Sequence, residues 1–560
     1  MGNQTKNPVL RSLICLGVGA SAHGQLLPGV DPRLPAPEPV ESIPGVVSEE
    51  IHASEEDPIL AQSFLGFRLD TWAAEGGFES ISPVLDARAG LLVPSPKTLS
   101  TRLEAFVGRP LKQSDLWRIG DVLLTHYDVE GYPVVNVEAP EQTFEDGRLV
   151  LIVELGRFAR VGVTRPRYGC PEVIESGLHL LEGEILRRSE IDDQLAWYGR
   201  SIFRRPRLFV SPGDEPATAD VLIGLEESRP WRVTTGYDNS GTDLLGKDRF
   251  QLGVAGMTPA EHVISWQTVV GVPVSSMSAH ALSWEIPLHR YHQTIRFDAA
   301  YARVDDRYLS NGLPLDNKGT SWAVSGVHRF QLPSYRGWRH NVSSGFEVKG
   351  TDQFVLFGSG RFAPGEVRFV HAKVGYDLRR SWENGGVGLE TSLVASPGNL
   401  ISGNHDINFK AYDFAADSSY VIARAAGQGW WSPGGDWRIG LRGGVQLADS
   451  RLLPSEQFAA GGYQTVRGVS EREYIADQGW HTSLEVFTPA WRPVNACQVR
   501  FLGFLDHAAL GNRGGNSTSL TGTGVGLRLM FGRWVDLRLD HGWRLDEPGE
   551  QTHLGFRFTY

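Results

Sequence analysis

Val525-Gly-Leu-Arg-Leu-Met-Phe531 alternates apolar side chains with glycine, arginine and methionine, and this alternation is the strongest indication of the fold. The alternation returns at 535–540, and the chain ends on Leu554-Gly-Phe-Arg-Phe-Thr-Tyr560. Successive side chains of a strand point to opposite faces, so each segment has one apolar and one polar face. The segments run about 9–11 residues, enough for a tilted strand to cross a bilayer, whereas strands of soluble sandwiches are usually about 5–6 residues long. We therefore predict transmembrane β-strands.

The composition excludes other classes of protein. The chain has 560 residues, and after the first 25 no apolar run approaches the roughly 18–20 residues that a transmembrane helix needs. A membrane protein without such helices must close its strands into a barrel, because every backbone polar group in lipid needs a partner within the protein. The 65 glycines and 10% aromatic residues fit barrel turns and interfacial girdles. The net charge of −11 argues against a nucleic-acid binder.

Alternating segments can be counted from Trp231 to the end of the chain. They give about sixteen strands at roughly 21 residues per strand and turn. An even number returns the C-terminus to the end of the barrel where the chain enters it. We therefore predict a 16-stranded antiparallel β-barrel, with Tyr560 on the same side as the residues that precede the barrel.

Two smaller α/β patterns come before the barrel. In the first, Ile119, Leu123 and Tyr127 share one helical face, and Ser114 is the predicted N-cap. A Gly-Tyr-Pro sequence ends this helix, and two strand-like runs joined by an Asp-Gly turn follow. The predicted elements lie at 134–138 and 149–155 in the first module, and at 160–163, 189–198, 208–210 and 220–225 in the second.

Two motifs carry a resemblance to a known family. Gly-Gly-Tyr-Gln-Thr-Val-Arg-Gly at 461–468 lies in a long polar insert between strand-like stretches. Arg-Pro-Trp at 229–231 leads into a strand that ends in Asp-Asn-Ser-Gly at 238–241. With the two α/β patterns, these motifs closely resemble the two-partner secretion transporters (the haemolysin secretion/activation proteins) of the POTRA–barrel superfamily. The resemblance runs from residue 63 to residue 560, and it implies two POTRA domains in the periplasm and a barrel in the outer membrane of a Gram-negative bacterium.

The N-terminal segment has the composition of a signal and a linker. A short basic region with Lys6 and Arg11 precedes an apolar stretch and a small-residue cleavage site that ends at Ala22. Residues 23–62 are rich in proline and glutamate, a composition that cannot bury a core. The family commonly begins with a plug helix, but no amphipathic helix is visible here. The predicted domains are a signal peptide at 1–22, a flexible linker at 23–62, the first POTRA domain at 63–157, the second at 158–229 and the barrel at 230–560.

The resemblance also implies a lock inside the barrel. Arg467, at the tip of the polar insert, is expected to meet Asp506 of the sequence Phe-Leu-Asp, which fits the family's "F-x-D" strand. A charge that faces lipid is costly, so Asp506 should face the lumen. Gly468 should permit a sharp turn at the tip, and Val466 should pack against the wall.

The two modules are predicted to dock a client. POTRA-type modules present an exposed sheet edge, to which an unfolded chain can add a strand through main-chain hydrogen bonds. The candidate docking residues are Val134, Val135 and Val137 in the first module and Leu208, Phe209 and Val210 in the second.

The resemblance implies that the protein exports a partner protein. The client should be an amphipathic, β-rich secreted protein, and the other expected partners are outer-membrane lipids and the barrel assembly machinery. One alternative is a factor that assembles or inserts other outer-membrane proteins, and another, from a different class, is a passive porin-like barrel. The sequence contains no metal-ligand spacing, no phosphate-binding loop and no nucleophile–base motif. We therefore expect no enzyme, cofactor, metal, nucleotide or nucleic acid.

Overall fold

A computed structural model describes residues 57–560 except 73–75, 145, 242–246, 311–312, 353, 358–359, 363–364 and 516, and describes no side chains within 306–317 and 353–364. The predicted signal peptide and residues 23–56 of the predicted linker lie outside this part. None of the described helices is both long enough and apolar enough to cross a membrane. Cys170 and Cys497 are free thiols.

The first module is an α/β unit with a five-stranded sheet. The sheet order is β3-β4-β2-β7-β6, and a two-stranded sheet, β1-β5, lies beside it. Its elements are β1 (Ile59–Ala61), β2 (Gly66–Asp70), β3 (Phe78–Ser82), β4 (Leu85–Arg88), α1 (Pro96–Leu103), a 3₁₀ turn (Glu104–Phe106), β5 (Leu111–Lys112), α2 (Gln113–Val129), β6 (Val135–Glu138) and β7 (Arg148–Leu155).

Helix α2 packs on this sheet as the periodicity predicts. Ile119, Leu123 and Tyr127 are fully buried in one core with residues from β2 and β7. The predicted N-cap was wrong, because the helix is capped at Lys112, whose backbone N–H donates to the Asp115 carboxylate at 3.1 Å. Ser114 lies inside the first turn and donates its hydroxyl to Asp57 instead.

The second module has a three-stranded sheet in the order β8-β10-β9, with two helices. Its core brings Phe158 of the first strand, Trp197 of the longer helix and Val221 of the central strand together. The elements are β8 (Arg157–Val163), α3 (Pro171–Glu175), α4 (Arg188–Tyr198), β9 (Arg204–Pro212) and β10 (Thr218–Glu227).

The remaining chain forms a closed antiparallel barrel of sixteen strands, as predicted. The short strands β18, β19 and β27 extend its ends, and β24 and β25 form a separate ribbon in the polar insert. The strands are β11 (Trp231–Asp238), β12 (Arg249–Met257), β13 (Val263–Gly271), β14 (Met277–Leu288), β15 (Gln293–Ser310), β16 (Leu313–Tyr335), β17 (Trp338–Thr351), β18 (Phe354–Phe357), β19 (Gly360–Phe362), β20 (Val367–Trp382), β21 (Gly385–Pro397), β22 (Ser419–Gly434), β23 (Trp437–Ala448), β24 (Phe458–Ala460), β25 (Tyr474–Ala476), β26 (Gln478–Phe487), β27 (Trp491–Val494), β28 (Cys497–Gly511), β29 (Ser517–Phe531), β30 (Val535–Arg544) and β31 (Glu550–Thr559).

The two faces of the barrel wall differ as the alternation requires. Along β28, Phe501 and Leu505 point outward and are about half exposed, whereas Leu502, Phe504 and Asp506 point into the lumen and are buried. The barrel closes where β11 pairs with β31, over Thr234–Asp238 and Gly555–Thr559. Fewer residues are paired at this seam than between the other neighbouring long strands of the described barrel.

A folded loop covers part of the barrel at the end away from the two modules. It joins β21 to β22 and contains a short helix, α5 (Asp406–Lys410). Phe409 of this helix is buried against Phe369 of β20 and Leu452 of the polar insert. The loop thus rests on the segment where the insert leaves the wall.

Candidate functional site

The polar insert at 449–477 forms an arm that folds into the barrel lumen. Asp477 closes the neck of this arm, where the two ends of the insert meet. Its buried carboxylate accepts hydrogen bonds from the backbone N–H of Leu452 at 3.0 Å, the Gln457 side chain at 3.0 Å and the backbone N–H of Arg513 at 3.1 Å. Beyond the neck, β24 and β25 pair antiparallel and carry the tip inward.

The tip is a compact turn held by its own hydrogen bonds. The Thr465 hydroxyl donates to the Gly461 carbonyl at 3.0 Å, and the Gly462 N–H bonds to the carbonyls of Val466 and Val469. Gly461, Gly462 and Gly468 have φ of +105°, +92° and +95°, which favours glycine at all three positions.

Arg467 is fully buried at the end of this tip and meets Asp506 as a bidentate pair. Its Nε donates to one Asp506 oxygen at 2.7 Å and its Nη2 to the other at 2.8 Å. The Arg467 backbone N–H also donates to this carboxylate, at 3.0 Å. The guanidinium carbon lies 3.5 Å from the centre of the Phe504 ring, so the cation also stacks on an aromatic face. Paired planar groups of this kind fix both distance and orientation.

The wall supplies more partners to Arg467 than the sequence analysis identified. Nη1 donates to Glu485 at 2.6 Å and Nη2 to the Ser483 hydroxyl at 3.1 Å, both on β26. A carboxylate oxygen of Asp540, on β30, lies 3.8 Å from Nη1 and accepts a hydrogen bond from Arg528 at 2.8 Å. Alternation in β26 could have placed Ser483 and Glu485 in the lumen, because the intervening Leu484 is apolar, but no motif connects these residues with Arg467.

Glycines in the wall form a recess for the tip. A Cβ atom added at Gly542 of β30 would lie 2.7 Å from the carbonyl carbon of Arg467 and from the backbone nitrogen of Gly468. One added at Gly522 of β29 would collide with the carbonyl oxygen of Arg467. Val466 is fully buried beside this recess, against Ala508 and Leu520. The recess lets the backbone of the tip lie directly against the backbone of the wall. This close approach explains two glycines to which the sequence analysis gave no role.

The predicted docking residues lie on two sheet edges. Val135 and Val137 are on β6, and Leu208, Phe209 and Val210 are on β9. Among the strands that the structure describes, β6 pairs only with β7 and β9 only with β10. Phe209 is 53% exposed. Val134 precedes β6 and packs against the core of the second module, so its side chain is committed to the contact between the modules.

The second module is docked onto the adjacent turns of the barrel. Glu261, in the β12–β13 turn, is buried and accepts a hydrogen bond from Arg200 at 2.6 Å and another from Arg204. Arg204 also donates to Glu227 at 2.6 Å. Burial raises the pKa of Glu261, but Arg200 and Arg204 outweigh burial and hold that pKa below its usual value.

Histidines of the β14–β15 turn complete this joint. The His292 ring stacks on Trp197 of α4 with ring centres 4.8 Å apart, and on His179 at 3.8 Å. His289 lies with its Nε2 3.2 Å from a Glu261 oxygen. Burial lowers the pKa of both His289 and His292 to about 4. Asp193 of α4 accepts hydrogen bonds from the β16–β17 region, including the Ser334 N–H at 2.9 Å.

Known protein families match both the barrel and the first α/β module. A family model described as haemolysin secretion/activation protein ShlB/FhaC/HecB matches residues 411–529, and one described as POTRA domain, ShlB-type, matches residues 89–156. The chain is 22% identical to the outer membrane transporter CdiB of Dickeya dadantii over 75% of each chain. It is 24% identical to the outer membrane transporter CdiB-2 of Burkholderia pseudomallei over 36% of this chain and 35% of that relative.

Solved structures share the fold across nearly the whole chain. CdiB from Escherichia coli superposes with a TM-score of 0.72 at 16% identity, covering 93% of this chain and 94% of the other. CdiB from Acinetobacter baumannii gives 0.63 at 14% identity, covering 92% of each. A periplasmic POTRA pair joined to a 16-stranded barrel defines the class of POTRA–barrel proteins of the outer membrane. Within that class, the two family models and the CdiB relatives together support a two-partner secretion transporter of the haemolysin secretion/activation type.

Proposed function

We propose that this transporter exports an unfolded, β-rich partner protein that docks on the POTRA edges by strand addition and then passes through the barrel lumen. The arm at 449–477 lies across that path, so export requires it to move. The protein would act without enzymatic chemistry, and folding of the client outside the cell would drive export. Outer-membrane lipids surround the barrel in this proposal, and the barrel assembly machinery inserts it.

The observation that carries the docking step is the free side of β6 and β9. Each strand has one sheet neighbour, and a strand with one neighbour leaves a row of N–H and C=O groups available for another chain. Both strands also alternate their side chains, with Phe209 outward and Leu208 and Val210 against the core. An amphipathic client strand fits such an edge because its own side chains alternate in the same period.

Site-specific cross-linking during export tests this step. A photo-reactive residue at Val137 or Phe209 should capture the secreted partner, because both positions lie on the proposed edges. The matched control is Trp72, which is 70% exposed but lies outside both edges. Equal capture at Trp72 would mean that the client binds exposed apolar surface rather than a sheet edge, and capture only within the barrel would refute docking on the POTRA domains.

The alternative of an assembly factor is favoured by one observation, the short β11–β31 seam. A factor that inserts other barrels would have to open its wall, whereas a transporter that uses its lumen would not. Thr234 and Thr559 are paired directly across the seam. Cysteines at both positions, oxidised to a disulfide, should leave secretion of the partner unchanged; loss of secretion that is restored by reductant would favour the alternative.

A further inference from the structure

The arm touches the lumen wall at a second place, far from its tip. The segment Pro454-Ser-Glu-Gln-Phe458 runs from the neck toward the β24–β25 ribbon. Glu456, in its middle, is 2% exposed and points at strands β17 and β22. No motif in the sequence connects Glu456 with these strands.

Two cations of the wall meet the Glu456 carboxylate. Lys349 of β17 contacts one oxygen through its Nζ, and Arg424 of β22 places Nη2 3.6 Å from the other. The main chain is held as well, because the Gln446 side chain of β23 donates to the Glu456 carbonyl at 2.8 Å. A buried carboxylate is stable only when such partners replace its water.

Further buried polar groups lie beside Lys349 on the same part of the wall. Glu347, also on β17, is buried, 2.7 Å from Lys373 and 3.2 Å from the His371 ring. His371 in turn contacts the Tyr420 hydroxyl at 2.7 Å. Glu347 thus contacts Lys373 and His371, whereas Lys349 and Arg424 contact Glu456.

We propose that Glu456 is a second attachment point of the arm, on the part of the wall formed by β17 and β22. In the barrel order, β20 to β23 and β26 separate β17 from the Asp506 strand, β28. The arm is therefore fixed at its tip and at its side to different parts of the wall. Release of the tip alone leaves the arm across the lumen, and full opening requires both carboxylate–cation contacts to break.

The two contacts are expected to break one after the other, and the loss of the first should make the second easier to break. Each pair is shielded from bulk water. The attraction between two charges is strongest in such a low-dielectric environment. When one contact breaks, water enters the lumen and weakens the attraction at the other. Glu456 is thus a positioning residue, which acts by holding the arm in place.

Channel recordings of the purified full-length protein in planar bilayers test this proposal without a client. Glu456→Gln keeps the shape of the side chain and removes its charge, so large-conductance openings should become several-fold more frequent. Arg467→Ala should do the same, and the combination should give longer openings than either change. Glu473→Gln is the matched control in the same arm, because the Glu473 carboxylate accepts a hydrogen bond from the Ser470 N–H of the arm itself, at 3.3 Å, and contacts no cation of the wall among the described residues.

The charge-swapped protein, Glu456→Lys with Lys349→Glu, should return openings only part of the way toward the wild-type frequency, because Arg424 then faces the introduced lysine. Unchanged recordings for Glu456→Gln beside frequent openings for Arg467→Ala would overturn the second attachment. Should Glu456→Gln not insert into bilayers, Lys349→Gln removes the partner charge and has the same two outcomes. The export path rests on the proposed function, but these recordings do not: a wild-type chain that secretes nothing would refute export and leave the attachment testable.

Discussion

Two buried arginine clusters hold parts of this molecule onto the barrel, and they differ in how the sequence reveals them. Arg467 fastens the arm inside the lumen to Asp506 and Glu485. Arg204, with Arg200, fastens the second POTRA domain to Glu261 at the periplasmic rim. The central pair of the first cluster, Arg467 and Asp506, lies within two short motifs, whereas the second cluster gathers residues from two domains that no motif connects. Similar chemistry thus holds both the arm, which must move in the proposed export path, and the joint of the second POTRA domain, whose sheet edge is the proposed docking site.

The largest effect is expected from Arg467→Ala. The change leaves Asp506 and Glu485 without their common cation, and removing one partner of a buried pair costs about 3–5 kcal/mol. Secretion of the partner should fall strongly while the barrel still inserts, because the arm no longer returns to a defined position. Secretion assays and heat-modifiable gel mobility measure the two properties separately.

The Asp506→Ala variant sharpens this test. From the motif alone, either single change should do most of the damage, but the structure gives Arg467 a second anion in Glu485. Asp506→Ala should therefore reduce secretion less than Arg467→Ala. The double variant should be no worse than Arg467→Ala, since contacting residues are not additive. Additive losses would mean that the two side chains act independently, and wild-type secretion from both single variants would refute the lock.

A smaller effect is expected from Glu261→Gln at the periplasmic joint. Arg204 keeps Glu227, so the change leaves only part of the cluster unsatisfied and should weaken docking by about 1–3 kcal/mol. Hydrogen exchange of α4 should become faster. Glu226→Gln is the matched control, because its pair with Arg207 is about half exposed and is expected to contribute only about 0.2–1 kcal/mol. Equal exchange in both variants would show that Glu261 does not hold the joint.

The contrast also explains how much of the fold and of the site could be predicted from the sequence. The barrel could be predicted because a lumen-facing and a lipid-facing side chain alternate along every strand, as Phe504 and Leu505 do. The arm could be predicted because its tip has a recognisable motif. The additional partners could not, because Glu485, Glu456 and Glu261 reach their cations only through strand register and domain docking. A sequence reading places each residue on a face of its strand without showing what lies opposite.

The smallest effect concerns pH at the periplasmic joint. His289 and His292 are buried and neutral, with a pKa of about 4 instead of the usual value of 6.5. The undocked state binds more protons between these values, so docking should weaken as the pH falls from about 6.5 to about 4 and then level off. At pH 5, each histidine contributes about 2 kcal/mol at most. Burial raises the pKa of Asp192 in α4 to about 6 and also raises the pKa of Asp193, and both shifts oppose this trend. Burial lowers the pKa of His179, which adds to the trend.

Exchange of α4 measured at pH 7.5 and at pH 5 tests this pH dependence. The wild-type joint should exchange faster at pH 5, because Glu261 remains charged but the histidines gain protons on undocking. His292→Phe keeps an aromatic ring on Trp197 and removes one titrating group, so it should lose about half of the difference between the two pH values. If wild type and variant respond equally to pH, His292 does not titrate on undocking. If neither responds, the histidines do not couple docking to pH, and pH sensitivity does not distinguish the joint from the lumen cluster.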